Sequence, residues 1–237
     1  MTVRESLLEA YRERPYRNIF FALIVVVFID ALAPNTIARG RFSDLMVVAV
    51  LIAALIETVR LRHNAIWALV LGLPAVAARI IAAFLPDSMM RNTAVLGFTA
   101  VFFVFLIWNL LHDLNRSDRP TDEKVFGALC AYIFIGLLFA LIFAHLEYWD
   151  PGSFSISNDL LAEKVAGESM QLQTFTYFSF VTMTTLGYGD ITPVTDNAQT
   201  LAWLEALIGQ LYLAVMVAGF VATHISESMK KNRGDPP

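Results

Sequence analysis

The sequence predicts an all-α membrane protein with six transmembrane helices and one shorter helix that enters the membrane and returns. Of its 237 residues, 57% are hydrophobic and only 16% are charged, whereas soluble domains carry about 25% charged residues. Several apolar segments approach the about 20 residues that a helix needs to cross the hydrocarbon. A polar, glycine-containing stretch between two apolar segments indicates where the chain turns back inside the membrane.

Six apolar segments are long enough to predict transmembrane helices, and five of them precede the polar stretch. The first follows an Arg-rich lead that is also typical of a secretory signal, but no small-residue cleavage site follows and more spans come after it. Before it, residues 2–11 carry apolar side chains at helical spacing, which indicates a helix on the membrane surface or a solvated leader. The predicted spans are residues 18–34, 44–60, 65–85, 93–112, 125–147 and 198–225.

The distribution of Lys and Arg between the loops predicts the orientation of these spans. With the N-terminus inside, the cytoplasmic segments hold most of the basic residues. The outer segments hold only Arg39, Arg41, Arg91 and Lys164. Because cytoplasmic loops are enriched in Lys and Arg, both termini are expected in the cytoplasm.

The apolar and aromatic run at residues 174–183 is too short to cross a membrane. A helix of that length rises about 15–20 Å, roughly half of the hydrocarbon, so the run predicts a re-entrant helix that enters from outside. The next residues, within "MTTLGYGDITP" at 183–193, must be non-helical at membrane depth, which is tolerated only against protein or a wet cavity. Carbonyl groups facing a dehydrated cation would satisfy this requirement. Gly187 and Gly189 allow the alternating backbone conformations that such a column of carbonyls needs.

Residues 185–190, with the sequence TLGYGD, resemble the selectivity filter of potassium channels, whose carbonyl oxygens replace the hydration shell of K⁺. The resemblance covers residues 125–228 and is to the tetrameric channels of prokaryotic type. It implies a homotetramer that conducts K⁺ across a plasma membrane, in this case a bacterial inner membrane. The implied K⁺ ligands are the carbonyls of Thr185, Leu186, Gly187 and Tyr188, the Thr185 hydroxyl and, at the outer mouth, the Gly189 carbonyl.

Three positions around the filter depart from the usual pattern of this family. Leu186 replaces a valine whose side chain points away from the pore, so the carbonyl ring is expected to be retained. Many members brace the filter with two tryptophans of the pore helix, where this chain has Tyr177 and Phe178. Tyr177 can still donate a hydrogen bond to Asp190, the residue implied to brace the filter, whereas Phe178 has no donor. Val181 stands where some channels have an acidic residue behind the filter.

The four helices before the pore module resemble a voltage sensor in number only. A voltage sensor needs regularly spaced basic residues in its fourth helix, but residues 93–112 contain neither Lys nor Arg. Little intrinsic voltage dependence is therefore predicted. Asp30 and Arg79 lie at similar depths in the first and third spans and are expected to pair, because lone charges in lipid are costly. A ligand site is the alternative meaning of these two charges.

The inner helix contains the residues expected to control opening. A glycine there falls where the family often has a flexible one, and three further residues recur below it at helical spacing toward the cytoplasm. His224 lies in the same region and allows a proton-sensitive gate, with an ordinary interfacial histidine as the alternative. The expected gate and inner-cavity residues are Gly219, Phe220, Thr223 and Glu227.

These predictions divide the chain into two transmembrane modules. The predicted domains are a leader at 1–17, a four-helix module at 18–112, a cytoplasmic linker at 113–124, a pore module at 125–228 and a tail at 229–237. The pore module is expected to comprise an outer helix at 125–147, an outer loop at 148–171, a pore helix at 172–184, a filter at 185–190 and an inner helix at 198–225.

Other classes of function have little support in the sequence. It contains no catalytic Ser/His/Asp set, metal-ligand cluster or phosphate loop, so neither an enzyme nor a cofactor other than permeant K⁺ is expected. It has no basic block that would predict binding of nucleic acid. Its single cysteine, Cys130, is expected to be a packing residue. A component of a potassium transporter and a channel-like regulatory subunit remain as alternatives.

Overall fold

The computed structural model describes residues 15–32, 39–60, 64–82, 84–85, 88–116, 121–157 and 172–233. Within these ranges the chain forms seven α-helices and two short strands, which pair with each other. The helices are α1 (Pro15–Leu32), α2 (Arg39–Arg60), α3 (Ala65–Ala82), α4 (Met89–Arg116), α5 (Thr121–Trp149), α6 (Leu172–Met183) and α7 (Asp196–Arg233), and the strands are β1 (Phe154–Ile156) and β2 (Ile191–Pro193). Apart from this pair of strands, the observed class is the all-α class that the sequence predicts.

Four helices of the described part of the chain are long and apolar enough to cross a membrane. Their apolar segments are Ala65–Ala82, Met89–Leu114, Asp122–Trp149 and Asp196–Ala222. The apolar segments of α1 and α2 are shorter, at Pro15–Ile29 and Val47–Ile56. The structure therefore matches four of the six predicted spans, and the six-span count stays a prediction.

The first four helices pack in chain order and close against α5. Neighbouring helices contact each other from α1 to α5, and α1 also contacts α5 directly. Phe103 of α4 and Phe134 of α5 are buried, with ring centroids 5.6 Å apart. At the start of α1, the Tyr16 backbone N–H donates to Glu123 Oε2 at 3.1 Å. The four-helix module is thus joined to α5 of its own chain through both its first and its last helix.

Two helices are longer than the sequence predicts. Only residues 117–120 separate α4 from α5, so most of the predicted linker at 113–124 is helical. Asp122 and Glu123 lie in the first turn of α5, where the helix dipole favours acidic side chains. At the other end, α7 continues to Arg233, so the predicted tail at 229–237 is helical over its first residues. Both extensions contain polar residues with good helix propensity, which the hydropathy pattern does not detect.

Some predictions lie outside the described residues. These are the surface helix at 2–11, the charged part of the outer loop at 158–171, and the side chains of Asp30, Thr223, His224 and Glu227. Arg79 is buried in α3, but its predicted pairing with Asp30 lies outside the described side chains.

Candidate functional site

The chain leaves its helical path after α6, and its backbone then alternates between two conformations. The φ angle is +58° at Thr185, +57° at Gly187 and +80° at Gly189. Leu186 and Tyr188, which lie between them, have no positive φ. Alternating left- and right-handed conformations turn successive carbonyls toward the same side of a strand. The stretch TLGYGD therefore has the backbone pattern that a column of carbonyl ligands requires.

The end of α6 determines where this stretch begins. The Leu186 N–H donates to the Val181 carbonyl at 2.9 Å, and the Thr185 N–H donates to the Thr182 carbonyl at 3.0 Å. This pair of bonds defines a Schellman motif, whose left-handed position is usually glycine. Here Thr185 takes it, although a left-handed conformation costs an L-residue roughly 1–2 kcal/mol. Val181 thus contacts the stretch through its main-chain carbonyl.

The outer end of the stretch is fixed at Asp190. The Tyr177 hydroxyl donates to Asp190 Oδ2 at 2.7 Å, which is the bond that the sequence allows. The Ile191 N–H donates to Asp190 Oδ1 at 3.1 Å. The Ser157 N–H, from the outer loop, donates to the Asp190 carbonyl at 2.9 Å. Both the carboxylate and the main chain of Asp190 are therefore held in place.

Two short antiparallel strands join the outer loop to the end of the TLGYGD stretch. Strand β1 pairs antiparallel with β2, and Phe154 lies opposite Pro193. Glu147, at the end of α5, accepts hydrogen bonds from the Gly152 N–H at 2.9 Å and the Phe154 N–H at 3.0 Å. These bonds attach the start of β1 to α5. Sequence reasoning missed the two strands, because strands of three residues give almost no periodic signal.

Phe178 and Tyr177 lie on different sides of α6. Phe178 is buried, with its ring centroid 5.1 Å from that of Phe143 in α5 and 5.2 Å from that of Phe154 in β1. Tyr177 is exposed and contacts Asp190. Of these two neighbouring residues of α6, one is therefore part of an aromatic core and the other supports Asp190.

The residues predicted as K⁺ ligands lie together on the surface of the single chain. Thr185, Leu186, Gly187, Tyr188 and Gly189 are all exposed and consecutive. The stretch is therefore accessible on the surface of the single chain.

The predicted gate residues are described only in part. Gly219 is exposed in α7, and a Cβ added there would meet nothing within 4 Å. Phe220 is half-buried, whereas the side chains of Thr223 and Glu227 lie outside the described residues. The gate therefore stays a prediction.

The structure also shows two close contacts of α7 that sequence reasoning missed. A Cβ added to Gly209 would lie 2.5 Å from Met183 Cγ and 2.8 Å from the Met183 carbonyl oxygen, so α7 lies directly against the end of α6. Glu205 is completely buried and shares a 2.5 Å hydrogen bond with Ser179 Oγ of α6. An ionisable residue within an apolar span often indicates a functional site or a buried polar contact. Sequence reasoning applied that signal to Asp30 and Arg79 but not to Glu205.

The part of the chain that contains the TLGYGD stretch is similar to known proteins. Residues 130–225 match a family model described as "Ion channel". This segment contains most of α5, both strands, α6, the TLGYGD stretch and most of α7. Together with the apolar helices, the match indicates a membrane protein that is similar to ion channels over residues 130–225.

Three characterised relatives are potassium channels. The chain is 34% identical over 94 residues to two pore potassium channel c of Oryza sativa, covering 40% of this chain and 17% of the relative. It is 27% identical over 120 residues to two-pore potassium channel 3 of Arabidopsis thaliana, covering 48% and 24%. It is 34% identical over 108 residues to the inward rectifier potassium channel Kirbac3.1 of Paramagnetospirillum magnetotacticum, covering 44% and 30%. The chain thus spans less than a third of each relative, and no solved structure matches it significantly.

Proposed function

We propose that this chain is the pore-forming subunit of a passive, K⁺-selective channel. The observation that carries the proposal is the alternating backbone of residues 185–189, which directly follows a helix of half the membrane thickness. With 12 residues, α6 rises about 18 Å, against a hydrocarbon thickness of about 30 Å. The similarity of residues 130–225 to ion channels supports the same function.

In the proposed channel, backbone carbonyls take the place of water around the permeant ion. Four ligand rings come from the carbonyls of Thr185, Leu186, Gly187 and Tyr188, and the Thr185 hydroxyl adds a ring at the inner end. The Gly189 carbonyl contributes at the outer mouth. The C-terminal end of α6 points its negative dipole toward the same region, which favours a cation.

The proposed assembly is a homotetramer in which each chain contributes one filter strand. The exposed surface of α7 supports it: in an apolar window of 18 residues, 61% of the residues are buried within the chain in α5, but only 11% in α7. Between residues 207 and 221 of α7, the large apolar side chains left exposed are Leu207, Leu211, Val215, Val217 and Val221. Packing against other copies around a central axis would cover part of this surface.

The proposed topology has six spans with both termini in the cytoplasm of a plasma membrane, for which a bacterial inner membrane is expected. It rests on the distribution of Lys and Arg and on the apolar segments of α1 and α2, which lie at the first two predicted spans. Local thinning of the bilayer and snorkelling of flanking residues would let these shorter segments cross it.

The test is K⁺ flux through the purified chain in liposomes. We expect a K⁺ gradient to drive flux that Ba²⁺ blocks and that Na⁺ does not support. Gly187→Ala is expected to abolish the flux, because an L-residue resists the left-handed conformation that the filter needs. Gly152→Ala is the matched control: Gly152 also has a positive φ and open surroundings, but it lies in the outer loop.

The same experiment separates the two alternatives. A regulatory subunit would assemble but give no flux on its own. A transporter component would give flux that Ba²⁺ does not block or that requires another chain. Equal flux through the wild type and Gly187→Ala would contradict the proposed filter.

A further inference from the structure

Beneath the filter, three helices of one chain meet at a single serine hydroxyl. Ser179 of α6 lies with its Oγ 2.7 Å from the Gly136 carbonyl oxygen of α5. The same Oγ lies 2.5 Å from Oε1 of Glu205, on α7. Ser179 and Glu205 are both completely buried in the chain. The three residues therefore form a polar contact that solvent does not reach.

The number of hydrogens available at this contact determines the state of the carboxyl group. A serine hydroxyl has one hydrogen, and a main-chain carbonyl can only accept. Oxygens 2.5 and 2.7 Å apart each need a hydrogen between them. If Ser179 donates to Gly136, the hydrogen between Ser179 and Glu205 must come from the carboxyl group. An ionised Glu205 would leave one of the two short contacts without a hydrogen.

The surroundings of Glu205 lead to the same conclusion independently. Among the described residues, Oε2 of Glu205 has no hydrogen-bond partner, and no Lys, Arg or His forms an ion pair with this side chain. A buried carboxylate without a compensating cation or full hydrogen bonding is strongly unfavourable. The Tyr132 hydroxyl of α5 donates to the Met183 carbonyl at 3.4 Å and not to Glu205. A neutral acid removes the uncompensated charge.

We propose that Glu205 is a neutral carboxylic acid that donates a hydrogen bond to Ser179. The resulting hydrogen-bonded chain, from Glu205 through Ser179 to Gly136, positions the pore helix α6 between the inner helix α7 and the outer helix α5. The first part concerns the carboxyl group alone, and the positioning role rests on the proposed channel function. Glu205 precedes Gly209 by four residues, so both lie on the face of α7 that meets α6. The hydrogen-bonded chain and the glycine contact together fix the base of the filter against the inner helix.

Infrared spectroscopy of the full-length protein in liposomes tests the proton on Glu205. We expect the wild type at neutral pH to show the carbonyl band of a protonated carboxylic acid, and Glu205→Gln to lose it. Asp196→Asn is the matched control, because Asp196 is an exposed carboxyl group at the start of the same helix, and it should leave that band in place. Loss of carboxylate bands, with no loss of the acid band, in Glu205→Gln would overturn the proposal.

Variants of the same residues test the positioning role. The amide of Glu205→Gln retains a hydrogen for Ser179, so wild-type K⁺ flux and thermal stability are expected. Glu205→Ala and Ser179→Ala should each lower both quantities. The double variant should lose no more than the more severe single variant, because all of these changes break one hydrogen-bonded chain. Additive losses, or a loss in Glu205→Gln equal to that in Glu205→Ala, would contradict the role.

The two proposals fail in different ways. If the wild type conducts K⁺ but Glu205→Gln removes no acid band, the inference about Glu205 is wrong and the channel function stands. If the acid band is present but no K⁺ flux occurs, the channel function fails and the neutral acid stands. Thermal unfolding of the variants then decides whether the hydrogen-bonded chain stabilises the packing of the three helices.

Discussion

At the scale of single residues, Asp190 is the point where α6, the TLGYGD stretch and the outer loop meet. Its carboxylate accepts from the Tyr177 hydroxyl and the Ile191 N–H, and its carbonyl accepts from the Ser157 N–H. Only the first of these bonds comes from a side chain of α6. Because Phe178 packs in the aromatic core instead, Tyr177 is the residue of this pair that braces Asp190.

Removing the Tyr177 hydroxyl should destabilise the conducting form of the filter. A hydrogen bond to a charged group contributes about 1.5–3 kcal/mol, and less where solvent competes, as at this exposed side chain. In Tyr177→Phe we expect K⁺ current to decay several times faster during sustained opening, with unchanged selectivity. Recordings from planar bilayers measure this decay.

Tyr148→Phe is the control for this substitution. The Tyr148 ring stacks on His145, with centroids 6.4 Å apart, and phenylalanine retains that ring contact. Wild-type decay in Tyr148→Phe together with faster decay in Tyr177→Phe would support the assignment. Equal decay in the wild type and Tyr177→Phe would show that Asp190 does not depend on this bond.

At the scale of helices, the contact between α6 and α7 allows no side chain at one position. Gly209 of α7 lies against Met183, whose main-chain oxygen cannot move away without disturbing the end of α6. A Cβ added to Gly219, ten residues later on the same helix, would meet nothing within 4 Å. The two glycines therefore form a matched pair that separates close packing from backbone freedom.

Gly209→Ala should destabilise the protein, and Gly219→Ala should not. Alanine gains about 1 kcal/mol of helix propensity over glycine at either site. At Gly209, overpacking costs about 1–3 kcal/mol and shifts α7 away from α6. Thermal unfolding in detergent and K⁺ flux in liposomes measure both variants. A Gly209→Ala variant at least as stable as Gly219→Ala would contradict the close contact.

The elements that sequence reasoning predicts correctly are those with a local signal. The short apolar run at 174–183 predicts α6 because its length is read from the chain directly, and Gly187 and Gly189 predict left-handed backbone because few other residues adopt it. Thr185 gives no such signal, since its conformation follows from how α6 ends. The pairing of β1 with β2 joins residues 35 to 39 positions apart, and the contact of Ser179 with Glu205 joins residues 26 positions apart. No local pattern therefore predicts either of them.

At the scale of the whole molecule, α4 lacks the charges with which a voltage sensor responds to membrane potential. Within Met89–Arg116, the basic residues are at the two ends. Arg91, in the first turn, donates to the carbonyls of Ala82 and Leu85 at 3.2 and 2.5 Å. It is therefore tied to the turn between α3 and α4. No positive charge lies in the middle of this helix to move through the electric field.

We expect the open probability to change little with membrane potential. Voltage sensors move about 3–4 gating charges per subunit, and α4 has no basic residue at membrane depth to supply them. Single-channel recordings in symmetrical K⁺, from strongly negative to strongly positive potentials, measure the dependence. A steep sigmoidal curve would show that other charged groups move through the field.

The attachment of α1 to α5 has a consequence for how subunits share control of the pore. Because Tyr16 at the start of α1 bonds to Glu123 of the same chain, each four-helix module is joined to its own outer helix. In the proposed tetramer, four such modules would then act in parallel, one for each quarter of the pore. A signal received by one module would reach its own filter strand first, so graded responses would follow from the number of modules engaged.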